Sequence, residues 1–160
     1  MTKIFSLLIT VIIITFVNLV HAENSEITLE FGRSLPLFGN RKPYQSMVGG
    51  NYRKPIKDHY YIEAGVQHQF DKRTLILGHT SFGVAYKNVS AGIGVGAIDR
   101  TTVTLGTHLE LVINVRMTFE PILNMYLSCW HISNGKAILN HTKKPNVGEN
   151  FITLGYIFKL

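Results

Sequence analysis

Residues 60–70, YYIEAGVQHQF, alternate with a period of two: Tyr60, Ile62, Ala64, Val66 and Phe70 share one parity, and Glu63, Gln67 and Gln69 the other. Successive side chains of an extended chain point to opposite faces, so the pattern fits a strand and excludes an amphipathic helix. EITLEF repeats it, with Ile27, Leu29 and Phe31 against Thr28 and Glu30. THLELVINVR repeats it again, with Leu109, Leu111, Ile113 and Val115 against His108, Glu110, Asn114 and Arg116. Each segment has one apolar face and one face polar enough to carry Glu, Gln, Asn or Arg. A chain built this way folds as a sheet with one oily side and one polar side throughout.

Eight such segments are legible, at about 25–33, 45–53, 59–70, 75–87, 90–98, 102–116, 121–133 and 150–160. KPIKD, DKRT, DRT and the long NGKAILNHTKKPNVGE read as the connections. No stretch beyond the N-terminal segment carries a helical period. Eight antiparallel strands fit a soluble closed barrel or an outer-membrane barrel. A soluble barrel turns Glu63, Gln67, Glu110, Asn114 and Arg116 to water; a membrane barrel turns the apolar set to lipid and pairs the charges inside a narrow lumen. Several segments reach the roughly 9–11 residues that cross a bilayer at a tilt. The expectation is therefore an all-β, eight-stranded antiparallel outer-membrane barrel. A lipocalin-like soluble barrel would also need a helix near the C-terminus. The last segment, NFITLGYIFKL, places Ile152, Leu154, Tyr156, Phe158 and Leu160 on one face. It resembles the aromatic-bearing final strand of outer-membrane barrels, with Leu160 where that resemblance expects phenylalanine.

The chain begins with Lys3, a largely apolar run from Ile4 to Val20 that includes Asn18, and then Ala22. A short run with Val20 and Ala22 at the −3 and −1 positions reads as a cleaved signal peptide over 1–22, in preference to a transmembrane helix. Residues 23–160 then form one domain, the barrel, with candidate catalytic residues at the extracellular end of strand 7 and in the loop after it. Cys129 is the single cysteine, so no intramolecular disulfide forms. The net charge is +6, which suits an anionic partner. Export argues against nucleic acid, and no nucleic-acid-binding motif is present.

Along LNMYLSCWHIS the parity of Leu123, Met125, Leu127 and Cys129 continues into His131 and Ser133. Asn124, Tyr126, Ser128, Trp130 and Ile132 fall on the other parity and are expected in the lumen. A histidine and a serine on the lipid face are costly unless they lie at the interface and have partners. With strand 7 running outward, both fall at head-group depth. There a histidine can take the proton of a serine hydroxyl, itself a weak nucleophile. His-x-Ser alone is more often two polar residues at a strand end. The loop that follows supplies Asn134, Asn146, Gly148, Glu149 and Asn150, groups able to orient an imidazole or donate to an oxyanion.

HISNG, followed by PNVGEN and a terminal strand, resembles the lipid A 3-O-deacylase family (PagL) of eight-stranded outer-membrane barrels, whose serine, histidine and acid form a triad on the outer surface. The match covers residues 131–160. It implies Ser133 as nucleophile, His131 as base, oxyanion or substrate roles for Asn134 and Asn146, and no cofactor or metal. It also implies lipid A of lipopolysaccharide as partner and the outer membrane as location; a homodimer is compatible with it. Two departures stand out. The loop between HISN and PN is several residues longer than in the family. The family's glutamate aligns on Asn150, one position after Glu149, which is the one carboxylate here. Parity places Asn150 with outward Ile152 and Glu149 inward. Glu149 is the preferred acid, a loop being able to override parity, and Asn150 is the alternative.

Arg41, Lys42, Lys72, Arg73, Arg100, Lys136, Lys143 and Lys144 fall in the outer loops, opposed by Asp71, Asp99 and Glu149. They read either as solvated loop charge or as a ring that meets lipid phosphates. The histidines are scattered without ligand spacing, so no metal is assigned. GIGVGAI lacks the lysine and helix of a phosphate loop, and its glycines read as relief of crowding in a narrow barrel. Two rivals remain: a non-enzymatic barrel for adhesion or envelope structure, and an outer-membrane phospholipase.

Overall fold

A computed structural model describes residues 24–35, 45–71, 74–101, 105, 108–119, 123–134 and 148–160. The expected signal peptide lies outside the described residues. The strands are β1 (Glu26–Ser34), β2 (Ser46–Lys57), β3 (Tyr60–Phe70), β4 (Leu75–Tyr86), β5 (Val89–Ile98), β6 (Leu109–Thr118), β7 (Met125–Asn134) and β8 (Glu149–Lys159). Each pairs antiparallel with the next, and β8 pairs with β1, so the sheet closes as an eight-stranded barrel. Strands of 9–12 residues rise about 30–40 Å, enough to cover a bilayer's apolar layer at barrel tilt.

The parity expected from the sequence holds. Leu29, Phe31, Ile62, Val66, Phe82, Val84, Ile93, Val95, Val115, Leu154 and Phe158 point outward and are exposed. A contiguous apolar belt of this size is at home in lipid. Tyr60, stacked on Phe82 at 5.6 Å, lies near the end where the connections are short, and so do Tyr86 and Phe158. Aromatic rings of this kind suit the membrane–water boundary. The longer connections, between β1 and β2, β5 and β6, and β7 and β8, lie at the opposite end, called here the loop end.

Inside, side chains fill the barrel in two layers. At the short-turn end, Glu63 accepts from Arg53 Nε at 3.0 Å, Arg116 at 2.9 Å and Asn114 at 3.0 Å. The two guanidinium groups also stack on Tyr61 and Tyr126, at 3.9 and 4.1 Å from the ring centres. At the loop end, Met47, Leu75, Leu77, Ile98, Leu105, Val112, Trp130, Ile132 and Phe151 form an apolar plug. Between the layers lies Glu30. Its Oε2 accepts from Thr153 at 2.6 Å, Trp130 Nε1 at 3.0 Å and Tyr126 at 3.4 Å, with the Ser128 hydroxyl 3.2 Å away; its Oε1 accepts from Asn51 at 3.0 Å and Gln67 at 3.4 Å. A carboxylate out of water is tolerable when its lone pairs are this fully engaged. The glycines of GIGVGAI do make room: a Cβ on Gly92 would stand 2.7 Å from Asn114 Oδ1 and 2.8 Å from the Tyr61 hydroxyl.

Three boundaries differ from the sequence reading. KPIKD is not a turn: β2 runs on to Lys57 with an irregularity between Pro55 and Lys57, and the turn falls at Asp58 and His59. Proline lacks a ladder donor but is accommodated at a bulge. β6 begins at Leu109 and β7 at Met125, both later than expected.

Candidate active site

β7 carries His131 and Ser133 outward near the loop end, both half-buried, while Trp130 and Ile132 between and beside them are buried in the lumen. Ile113 on β6 and Asn150 on β8 lie directly across from His131. Directly paired residues of antiparallel strands hold their Cβ atoms about 4.5–5.5 Å apart on one face, which puts Asn150 in reach of the imidazole. Asn150 Oδ1 contacts His131 Nδ1 at 2.8 Å. With a carbonyl oxygen as the partner, Nδ1 carries the proton and donates, leaving the Nε2 lone pair as the basic site.

Two further contacts hold the arrangement. The Asn150 carbonyl accepts from Leu35 N at 2.8 Å, tying the start of β8 to the segment after β1. Gly148 takes a left-handed φ of 57°, and a Cβ there would stand 2.7 Å from His131 Cε1. Glycine suits this position twice: it adopts that φ without strain, and its bare Cα lets the chain pass close to the ring.

Of the two residues weighed as the orienting partner of His131, Asn150 is the one set across from it. Glu149 pairs with Ile132, whose side chain is fully buried, so it belongs to the lumen-facing parity. β8 already begins at Glu149, and with regular pleating established there no loop conformation overrides the alternation. The alternative, Asn150, is the residue on the imidazole.

Ser133 pairs with Leu111 and stands two residues from His131 on the same face. Residues so related are separated by roughly 6.6 Å along a strand. Among the described residues no hydrogen bond joins Ser133 Oγ to His131. Asn134 ends β7 in register with Glu110, and Asn146 lies outside the described residues. Of the expected basic ring, Arg100 is described, and it pairs with neighbouring Asp99 at 3.3 Å. Asp99 Oδ1 also accepts from Ile76 N, and Asp71 accepts from Ser46 N, so these acids close strand ends. His79, on β4, is buried in the lumen 3.0 Å from Asn51 Oδ1, edge-on to Trp130 at 5.0 Å. Among the described residues no three metal-binding side chains converge.

The fold belongs to the class of transmembrane β-barrels: closed, antiparallel, polar within and apolar without. It resembles a barrel reported under "De novo design of transmembrane beta-barrels", with a TM-score of 0.52 and 11% identity over 87% of this chain and 97% of that one. It also resembles the outer membrane protein Ail of Yersinia pestis in a phospholipid bilayer nanodisc, with a TM-score of 0.49 and 12% identity over 85% and 99% of the two chains. No family model matches the chain. No curated protein matches it either.

Proposed function

We propose that this protein is a bacterial outer-membrane esterase that removes the ester-linked acyl chain at the 3-position of lipid A, with Ser133 as nucleophile and His131 as base. The observation that carries the reading is the outward imidazole at the loop end, held through Nδ1 by Asn150, with a serine hydroxyl on the same face. A barrel that only packs into lipid gains nothing from an imidazole, an amide and a hydroxyl on its apolar side. Long loops mark the extracellular end of such barrels, so the pair meets the outer leaflet, where lipopolysaccharide resides. The chain's net charge of +6 suits a phosphorylated lipid.

In this reading Ser133 Oγ forms a bond to the ester carbonyl carbon as its proton passes to His131 Nε2. The carbon–oxygen bond to the sugar then breaks, and the leaving alkoxide takes the proton from the imidazolium. Water, deprotonated by the same nitrogen, cleaves the acyl-serine and releases a fatty acid. Ser133 Oγ reaches the imidazole by side-chain rotation, since hydrogen bonds of this kind tighten on substrate binding.

A non-enzymatic barrel is the second reading. On its side stand the missing Ser133–His131 hydrogen bond and the amide where a carboxylate was expected. Mass spectrometry of lipid A from cells with and without the protein separates the two. Loss of one 3-linked acyl chain supports the esterase, and unchanged lipid A overturns it. Cleaved phospholipid with intact lipid A would identify a phospholipase instead.

A further inference from the structure

We infer that Asn150 is the positioning residue of this site, holding His131 in its Nδ1–H tautomer through an amide, so that the imidazole works without a carboxylate behind it. The geometry is direct: Oδ1 lies 2.8 Å from Nδ1, on the strand paired with β7, at the position facing His131. Asn150 is itself fixed, through its carbonyl, by Leu35 N. Gly148 closes the other side of the ring. The side chains facing His131 from the neighbouring strands are Ile113 on β6 and Asn150 on β8; Cys129 and Ser133 flank it on β7. Cys129 is the one titratable group among them, and Glu149 lies on the lumen-facing parity.

An amide and a carboxylate do different work at Nδ1. Both accept the N–H and fix the ring, and only the carboxylate offsets the charge of the imidazolium. The kinetic consequences rest on the esterase reading; the tautomer does not.

The test is nitrogen NMR of the His131 ring in detergent micelles across pH, for the wild type, Asn150→Ala and Asn150→Asp, with His131→Gln to assign the signal. The neutral wild-type ring is expected as Nδ1–H. Asn150→Ala is expected to shift it towards the Nε2–H form, and Asn150→Asp to keep Nδ1–H. A ring whose tautomer is indifferent to Asn150→Ala overturns the inference. On purified lipid A, Asn150→Ala should lower kcat at least about tenfold with KM little changed, and Asn150→Asp should keep most of the wild-type rate. A wild-type protein that hydrolyses nothing defeats the esterase reading, while the ring signal still decides the role of Asn150.

Discussion

The two faces of β7 treat their polar groups differently. Inward, Tyr126 and Trp130 donate to Glu30 Oε2, and Ser128 donates at 2.6 Å to Thr153, whose own hydroxyl donates to Glu30. Outward, His131 has one hydrogen bond, from Nδ1, and among the described residues Nε2 and Ser133 Oγ have none. Buried polar groups that stabilise a fold are saturated with partners, because each unmet one costs free energy. A group that is to move a proton has to keep a lone pair unclaimed. On one strand, alternate residues thus belong to a closed network and to an open site, and the pleat keeps the two apart.

The comparison breaks most sharply at the outward pair. Ser133→Ala and His131→Ala are each expected to lower deacylation at least about 10³-fold, since coupled members fail together. Heat-modifiable gel migration should meanwhile be unchanged, because neither side chain joins the lumen network. A variant retaining most of its activity on purified lipid A would remove that residue from the site.

The inward face should give the converse result. Glu30→Ala removes the acceptor around which six polar side chains gather, and a loss of about 3 kcal/mol is expected in urea unfolding from lipid vesicles. Activity per folded molecule should change little. A Glu30 variant as stable as the parent would mean that the lumen tolerates dissolution of its hub.

Val66→Arg tests the apolar belt, because Val66 is outward and near the middle of β3. A charge at that depth costs about 2–4 kcal/mol, to be read in the same unfolding experiment. The smallest effect is expected from Trp130→Phe, which keeps a ring against His79 but gives up the bond from Nε1 to Glu30. It should cost about 1–2 kcal/mol and leave the rate intact, although it adjoins His131.

The barrel was legible because alternation is a local property: the parity sets of residues 60–70 and of EITLEF map directly onto inward and outward faces. The course of β2 through Pro55 was not, since Lys-Pro normally punctuates a strand and the bulge that absorbs it depends on pairing with β3. His131 and Ser133 were found by the same alternation. Alternation also assigned Asn150 to the outward face, and the preference for Glu149 came from seeking a carboxylate rather than from the pleat. Glu30 was readable as an inward acid on β1, but its partners lie on β2, β3, β7 and β8. No local pattern carries contacts that span up to 123 positions of sequence.

Glu30 also bears on how the cylinder comes into being. Its shortest bond, to Thr153, exists only once the first and last strands have met. A half-assembled sheet would therefore hold a carboxylate lacking its tightest partner, next to tyrosine, serine and tryptophan donors still without theirs. That penalty falls on every unclosed arrangement and vanishes at the final seam. Long-range pairing is the slow part of forming β-rich proteins, and here the last contact made is coupled to a core of polar groups that rewards completion alone. The closed seam is thereby favoured over an open one by its polar interior as well as by its strand pairing.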